Sequence, residues 1–260
     1  MITSPHNPRL KLVRALAGRP KERREAGAFL AEGVRLVEDA FAARWPFQFV
    51  LYSAEMSKRG KKLIEELLAS GVEVEEVEPN ILQSAGETES SQGVVAVLQL
   101  PQLECPQAGA LNFVLIPDQI RDPGNLGTLI RSAAAAGAQA VFIPPETTDP
   151  FAPKVVRAGM GAHFRIRVCN LDWDEIRARL NGLCTFLAGA DGQTTCWDAD
   201  FRQPLALIVG GEADGASEPA RNLTNMFVNI PMPGKIESLN AGVAGAVLMF
   251  EVVRQRSEAL

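Results

Sequence analysis

The amino-acid sequence predicts an α/β protein in which a small amino-terminal α/β domain precedes a larger domain built on a parallel sheet. Segments with the apolar spacing of helices alternate with short runs typical of strands, which is the pattern of layered α/β domains. Several later runs, including 112–118 and 204–211, are apolar throughout, as are strands buried on both faces of a parallel sheet. The chain has 260 residues, 47% hydrophobic and 22% charged, so it is long enough for two domains and is not a disordered or fibrous protein.

The amino-terminal part alternates between helix and strand up to about residue 100. Leu10, Val13 and Leu16 recur at helical spacing, and the segment VEVEEV alternates as a half-buried strand does. The expected helices are 5–24, 33–43, 58–70 and one from Asn80, and the expected strands are 29–30, 47–53, 72–77 and 93–100. The segment QLPQLECPQAGA then lacks periodicity and is rich in Pro, Gln and Gly. It predicts a domain over 1–100, a linker over 101–109 and a second domain over 110–260.

The second domain alternates in the same way and carries the buried strands. The expected strands are 112–118, 140–144, 164–168, 184–190, 204–211 and 226–232, and the expected helices are 126–136, 154–159, 175–180 and 239–256. Parallel sheets of this kind bind ligands in the loops at the carboxyl ends of their strands. Functional residues are therefore expected in those loops.

Charge is distributed unevenly along a chain whose net charge is −5. Residues 1–24 hold seven basic residues against Glu22 alone, and 153–167 holds four basic residues and no acid. The net charge excludes a basic coat over the whole surface but allows local patches that contact phosphates. A solvated helix face is an equal alternative for the amino-terminal patch, whose members are Arg9, Lys11, Arg14, Arg19, Lys21, Arg23 and Arg24.

The cysteines and histidines do not indicate a catalytic or metal-binding site. The four cysteines, at 105, 169, 184 and 196, have no metal-binding spacing, so we expect reduced thiols and no metal site. His6 and His163 are expected to be core or surface residues. The amino terminus lacks the apolar stretch of a signal peptide and no apolar run approaches ~20 residues, so a soluble, cytoplasmic protein without a membrane span is expected.

A loop and helix follow the strand 112–118 and contain the first motif, Asn125–Arg131 (N-x-G-x-x-x-R). Asn125 is a favoured residue type for capping a helix that begins near Leu126. The small residues of 132–137 predict that this helix packs closely against a neighbour. Taken alone, the motif is also compatible with a capped helix that carries a surface arginine.

Two further motifs lie at strand ends. The second, Gly210–Gly215 (G-x-E-x-x-G), has glycines that let backbone approach a ligand and a carboxylate, Glu212, that needs a partner if buried. The third, Ile230–Asn240 (I-P-M-x-G-x-x-E-S-L-N), ends at Ser238 and Asn240, which could cap the last helix or point into a site. No G-x-G-x-x-G fingerprint is present, which disfavours a dinucleotide-dependent oxidoreductase.

The order and spacing of the three motifs resemble those of the SpoU/TrmH family of RNA ribose 2′-O-methyltransferases over 110–260. The amino-terminal part also resembles the substrate-binding domain of many members, in the segments PHNPRLKLVRAL, FLAEGVRLVEDA and SSQGVVAVL. The resemblance implies a deep carboxy-terminal trefoil knot, a homodimer with the site near its interface, and S-adenosylmethionine as cofactor. It implies RNA as substrate, with ribosomal RNA expected and transfer RNA open.

The resemblance also implies roles for individual residues. Arg131 would activate the ribose 2′-hydroxyl, and four residues would position it, the hydroxyl and the cofactor: Asn125, Glu212, Ser238 and Asn240. Cofactor contacts would come from Leu187, Ala188, Gly189, Gly210, Gly211, Ile230, Pro231, Met232, Ser238 and Leu239. Gly242 stands where members commonly have a serine, and none of the departures removes a residue assigned to chemistry. A non-enzymatic RNA-binding protein with the same fold is the alternative.

Overall fold

The chain folds into two compact units in the computed structural model, which describes residues 1–85, 92–101, 104–190, 192–211, 215–234 and 236–257. The first unit comprises Met1–Gln102 together with Phe151–Phe164, and the second comprises Leu103–Pro150 and Arg165–Leu260. Nothing in the sequence pattern predicts that 151–164 packs within the first unit.

The first unit is built on a four-stranded mixed sheet in the order β1-β4-β2-β3. Its strands are β1 Ala28–Glu32, β2 Phe47–Tyr52, β3 Val74–Glu76 and β4 Val94–Gln99. Strand β4 is antiparallel to both β1 and β2, whereas β2 and β3 run parallel. The helices are α1 Pro8–Ala17, α2 Pro20–Ala26, α3 Val34–Ala42, α4 Lys58–Ala69, α5 Pro79–Ala85 and α7 Pro153–Gly159.

The single helix expected over 5–24 is wrong, because the structure has two helices there. Helix α1 ends at Ala17 with Gly18 as its C-cap, and α2 begins at Pro20. A proline cannot donate a backbone hydrogen bond and is tolerated in the first turn of a helix rather than in its interior. The residues Gly18–Pro20 therefore separate α1 from α2, although apolar spacing alone predicts one continuous helix.

The segment 151–164 packs its aromatic residues around Phe29 of β1. The Phe29 ring lies 5.0 Å from the Phe151 ring and 6.5 Å from the Phe164 ring, between centroids. Arg157 of α7 forms an ion pair with Glu32 at 3.8 Å. His163 is buried within a short 3₁₀-helix and contacts the Phe151 ring, so it is a core residue.

The second unit is built on a seven-stranded sheet in the order β7-β6-β5-β10-β8-β11-β9, and every pair is parallel. The predicted parallel α/β fold is thereby confirmed, while the knot stays a prediction. The strands are β5 Phe113–Asp118, β6 Ala140–Ile143, β7 Arg167–Asn170, β8 Cys184–Ala188, β9 Thr194–Thr195, β10 Leu205–Gly210 and β11 Met226–Asn229. The helices are α6 Pro123–Ala135, α8 Trp173–Arg179, α9 Glu218–Leu223 and α10 Ala241–Ser257.

Three elements of the second unit differ from the sequence prediction. The strand expected over 164–168 begins three residues later, because Phe164 ends the 3₁₀-helix and β7 spans Arg167–Asn170. Strand β9 and helix α9 were not predicted. Both are short, so neither has room for a recognisable apolar period.

Cys105 and Cys169 form a disulfide, so the expectation of reduced thiols is wrong for this pair. Their Cα atoms lie 6.0 Å apart although 64 positions separate them in the sequence. The bond joins the linker segment to β7, an edge strand of the seven-stranded sheet. Cys184 and Cys196 are free, and burial raises the pKa of both thiols.

Within the described ranges, no helix is long and apolar enough to cross a membrane. The same ranges contain no group of three or more His, Cys, Asp or Glu side chains that could hold a metal ion.

Candidate active site

A cavity of about 280 Å³ opens at the carboxyl edge of the seven-stranded sheet. The strand register places Gly210 of β10 beside Asp118 of β5, and Ala188 of β8 beside both Val209 and Val228. Parallel strands bring their carboxyl ends to one edge, which is where ligand loops gather. The cavity is lined by Ala188, Gly189, Ala190, Val209, Gly210, Gly211, Gly215, Val228, Ile230, Met232, Ser238, Leu239, Ala241, Ala244 and Leu248.

Most residues that line the cavity are Gly, Ala or Ser, and the others are larger apolar residues. A Cβ atom on Gly210 would lie 2.8 Å from the backbone nitrogen of Ala216, and one on Gly211 would lie 2.5 Å from the carbonyl oxygen of Gln119. Glycine is therefore required at both positions. A wall of small residues bounded by apolar side chains suits a ligand with a planar heterocycle, such as the adenine of S-adenosylmethionine.

Most of the predicted cofactor contacts line this cavity. Those that do are Ala188, Gly189, Gly210, Gly211, Ile230, Met232, Ser238 and Leu239. The side chain of Leu187 is buried in the apolar core of the second unit, and Pro231 is not among the lining residues. Both remain proposed contacts through backbone alone.

Asn125 does not cap helix α6, contrary to the sequence prediction. The N-cap is Asp122, whose Oδ1 accepts a hydrogen bond from the backbone N–H of Asn125 at 2.7 Å. The helix begins at Pro123, which favours the first turn because its fixed φ suits a helix and it has no N–H to satisfy. Asn125 therefore sits inside the first turn, where its side-chain amide is available to other partners.

The side chain of Asn240 bonds to the side-chain amide of Asn125 and also caps the last helix, α10. Its Nδ2 donates to Oδ1 of Asn125 at 2.8 Å, and its Oδ1 accepts from the backbone N–H of Val243 at 3.2 Å. Its backbone carbonyl accepts from Ala244. The predicted capping role is confirmed, and the same side chain joins the first motif to the third.

Arg131 lies on the exposed face of α6, one turn beyond Thr128. It forms no hydrogen bond or ion pair with any residue that the structure describes, and it does not line the cavity. A guanidinium held outside any internal ion pair is free to meet a ligand. Ser238 is exposed and lines the cavity, whereas Glu212 lies outside the described residues.

Helices α6 and α10 pack very closely, as the small residues of both predict. A Cβ atom on Gly245 would lie 2.2 Å from Cδ2 of Leu129, and one on Gly242 would lie 3.2 Å from Cβ of Thr128. This approach brings the amino-terminal turn of α10 to the helix that carries Asn125 and Arg131. A larger residue in place of Gly242 would meet Thr128 at this contact.

Asp118 is a buried carboxylate that sequence reasoning missed. It ends β5, is 0% exposed, and accepts a hydrogen bond from the backbone N–H of Ser217 at 2.6 Å through Oδ2. Burial raises the pKa of the carboxyl, and the bond from Ser217 opposes that shift. The sequence contains a signal for this residue, because Asp118 is acidic and ends an otherwise apolar strand. A carboxylate buried there needs a specific partner.

Two family profiles match the chain. The SpoU rRNA methylase family matches residues 112–250, and an MRM3-like substrate-binding domain matches residues 7–96. A 23S rRNA uridine 2′-O-methyltransferase of Streptomyces viridochromogenes is 35% identical, with 98% of this chain and 92% of that protein covered. A 23S rRNA guanosine 2′-O-methyltransferase of Bacillus subtilis is 31% identical, with 89% and 91% covered.

Solved structures agree over nearly the whole chain. The SpoU methyltransferase AviRb from Streptomyces viridochromogenes, crystallised with AdoMet, aligns with a TM-score of 0.84 at 33% identity and covers 97% of this chain and 99% of its own. An AdoMet-bound rRNA methyltransferase from Sinorhizobium meliloti aligns with a TM-score of 0.83 at 32% identity, covering 97% of both chains. The resemblance found in the three motifs is confirmed, and this chain belongs to the SpoU rRNA methylase family.

Proposed function

We propose that this protein transfers a methyl group from S-adenosylmethionine to a ribose 2′-hydroxyl of ribosomal RNA. The observation that carries the proposal is the hydrogen bond from Asn240 to Asn125. It joins the helix of the first motif to the loop that lines the cavity with Ser238 and Leu239. Membership of the SpoU family and the 2′-O-methyltransferase relatives support the same activity.

The cavity residues would hold the cofactor, which supplies a methyl group on a positively charged sulfur. The small residues at 188–190 and 210–211 would leave backbone amides open to its polar edges, and Ile230, Met232 and Leu239 would contact its apolar surface. The protein must align the hydroxyl oxygen with the methyl carbon, and alignment alone can supply a large part of a rate enhancement.

Arg131 would meet the ribose hydroxyl. An arginine stays protonated in proteins, so its natural role is a fixed positive charge that stabilises the forming oxygen anion while the hydroxyl proton passes to water. Asn125 and Asn240 would orient the ribose and the start of α10. Glu212 and Ser238 would complete the set as proposed polar contacts.

The protein is proposed to act as a homodimer. Helix α10 exposes three apolar side chains, Val243, Val247 and Phe250, which are 48%, 41% and 51% exposed. Their spacing places them on one face of the helix. A contiguous apolar stripe on the helix that carries Asn240 is the kind of surface that a second copy would cover. We also propose that the protein acts in the cytoplasm, as expected for bacterial ribosomal RNA methylation.

Mapping of ribose methylation tests the activity. RNA from cells with and without the protein is compared position by position, and the purified protein is then given each RNA class with radiolabelled S-adenosylmethionine. Loss of one 2′-O-methyl group from 23S rRNA, restored in vitro, is the expected result. Methylation of transfer RNA alone would correct the substrate, and binding of RNA without any transfer would favour the non-enzymatic alternative.

A further inference from the structure

The first unit contains a second, larger cavity of about 640 Å³ that the proposed chemistry does not use. It lies where three connections meet: the start of α3, the turn between β2 and α4, and the start of α5. Its volume falls within the range of about 300–1,000 Å³ typical of small-ligand sites. All of its lining residues belong to the first unit, whose residues 7–96 match the MRM3-like substrate-binding profile.

The cavity wall is held by hydrogen bonds between segments distant in sequence. Oε1 of Gln92 accepts from the backbone N–H of Val34 at 2.9 Å, which caps the start of α3. Ser53 is buried, its backbone N–H donates to the carbonyl of Gly93 at 2.8 Å, and its hydroxyl accepts from the N–H of Glu55. These bonds join the start of β4 to both helical connections, so the cavity is part of the fold rather than a gap between loops.

The lining combines apolar and polar groups. Val34, Met56 and Leu82 are buried and give an apolar surface for the face of a ring. Ser57 and Asn80 are exposed at the rim. The Ser57 hydroxyl accepts from the backbone N–H of Gly60 and can still donate, and the Asn80 amide can pair with the polar edge of a base. Sequence-specific proteins recognise RNA in this way, through unstacked bases whose faces are packed and whose edges are hydrogen-bonded.

Positive charge surrounds the mouth of this cavity. Arg35 lines it, and Lys58 and Lys61 lie on the adjoining first turns of α4. None of these three forms an ion pair within the part of the chain that the structure describes. Arg59, also in the lining, is paired with Glu38, and Glu55 is the acidic residue of the lining. Arg35, which lines the cavity, is placed to meet a phosphate that flanks a base held inside.

We propose that this cavity binds one unpaired nucleotide of the RNA substrate, at a site separate from the methylated ribose. The base would occupy the apolar pocket against Met56 and Leu82, and its flanking phosphates would contact Arg35 and Lys58. The inference rests on the proposed activity toward RNA. It assigns to the first unit a recognition step that selects substrate, leaving the transfer itself to the second unit.

The proposal is tested by steady-state kinetics on a 23S rRNA transcript that the unaltered protein methylates. Asn80→Trp would fill the cavity with an indole, and Arg35→Gln would remove the cation at its mouth. Ser84→Trp is the matched control, because Ser84 is exposed on the same helix and outside the lining. Both cavity variants should raise KM for the transcript by about 10-fold or more, the factor that ~1.4 kcal/mol of lost binding produces. Neither should change kcat or the affinity for S-adenosylmethionine, and Ser84→Trp should behave like the unaltered protein.

Three results would overturn the proposal. These are an unchanged KM in both cavity variants, an equal rise in the Ser84→Trp control, or a loss confined to kcat. Thermal melting identifies a variant that fails to fold, in which case the exposed Arg35→Gln variant decides. Photo-crosslinking with the same transcript carrying 4-thiouridine separates this inference from the proposed activity. Crosslinks to the peptides lining the cavity would support the site even if no methyl group were transferred, and crosslinks only to other peptides would contradict it.

Discussion

Nδ2 of Asn240 donates a hydrogen bond to Oδ1 of Asn125 at 2.8 Å, across 115 positions of sequence. The bond links the first turn of α6 to the N-cap of α10, and the same Asn240 side chain accepts from the N–H of Val243. Asn240 thus caps α10 and also links the third motif to the first. Capping and site assembly are separable, because they use different atoms of the same amide.

Asn240→Asp separates these two roles. The carboxylate can still accept from Val243, so the helix should keep its cap and the protein should melt close to the unaltered temperature. It cannot donate to Asn125, so kcat for methyl transfer should fall by at least ~10-fold, the factor that ~1.4 kcal/mol of lost interaction produces. Asn240→Ala is the comparison and should lose about 1 kcal/mol of stability as well. Full turnover by the Asp variant would show that the bond plays no part in the reaction.

Arg131→Ala should abolish methyl transfer while leaving folding and S-adenosylmethionine binding nearly unchanged. The side chain is exposed and has no hydrogen-bond or ion-pair partner among the described residues, so its removal disturbs no internal contact. Arg131→Lys should also fail, because lysine lacks the planar fork of donors. Calorimetric titration measures cofactor binding by the variants, and single-turnover kinetics measure methyl transfer. A fully active Arg131→Ala variant would show that Arg131 takes no part in the reaction.

Asp118→Asn tests the buried carboxylate. Because the pKa of Asp118 is raised in the folded protein, the folded state holds the proton more tightly than the unfolded chain. The free energy of unfolding therefore falls as the pH rises from the pKa of Asp118 in the unfolded chain to its pKa in the folded protein. At about pH 7 the carboxylate is charged in both states, and its burial destabilises the fold by an amount that no longer changes with pH. The amide keeps an acceptor for Ser217 without the charge. Its NH2 group takes the place of Oδ1, which has no hydrogen-bond partner in the described structure, and burying that neutral group costs less than burying the charge. The variant should therefore be more stable than the unaltered protein at about pH 7, with the difference shrinking toward about pH 4.

Urea unfolding at several pH values measures this difference. Asp200→Asn is a control of opposite sign, because hydrogen bonding from Arg202 lowers the pKa of that exposed carboxyl. An Asp118→Asn variant that is less stable at neutral pH and shows no pH-dependent difference would mean that the ionised carboxylate stabilises this loop.

Several residues of the amino-terminal basic patch have partners within the fold. Arg23 is buried and donates to the carbonyls of Leu16 and Gly18, Arg9 pairs with Glu73 and Glu75, and Arg14 donates to the carbonyl of Pro5. The expectation that Arg23 contacts phosphates is therefore wrong, and its removal would unfold the α1–α2 junction. The members left exposed and without an ion pair in the described structure are Lys11, Arg19 and Arg24.

Replacing Lys11, Arg19 and Arg24 by Gln should flatten the salt dependence of RNA binding. Each phosphate contact to single-stranded RNA contributes a log–log slope of about −0.7, so the change should reach up to about 2. Filter binding of the 23S transcript over a range of salt concentrations measures the slope. Lys154→Gln is a parallel test of the second basic stretch. An unchanged slope in the triple variant would assign the patch to a solvated helix face.

Phe250→Glu tests the proposed dimer. The side chain is half-exposed, so a folded single chain should tolerate the charge, whereas an apolar interface would not. Sedimentation analysis should show a dimer for the unaltered protein and a monomer for the variant. Leu68→Glu is the control, because Leu68 is a comparably exposed apolar residue of the first unit. A monomeric unaltered protein would remove the dimer from the proposal.

The parallel α/β architecture, the family and most of the residues that line the cavity follow from the sequence. Strands such as 205–210 are apolar at every position, so their burial on both faces is encoded locally, and the glycines at 210 and 211 are required because a Cβ atom at either position would meet backbone atoms. Asn125 and Arg131 belong to one short motif, whereas Asn240 lies 115 positions from Asn125 in the third motif.

Tertiary structure alone decided which partners these residues meet. Asn125 looked like a helix cap because capping is read from a few neighbouring residues, yet Asp122 takes that role and Asn125 bonds to a residue at the far end of the chain. Arg23 looked like a surface cation until burial placed it against two carbonyls, and Cys105 and Cys169 looked unrelated until the sheet brought them together. Local propensity acts over one or two turns of chain, whereas a hydrogen bond, a buried ion or a disulfide depends on which distant segments the packed core places within a few ångströms.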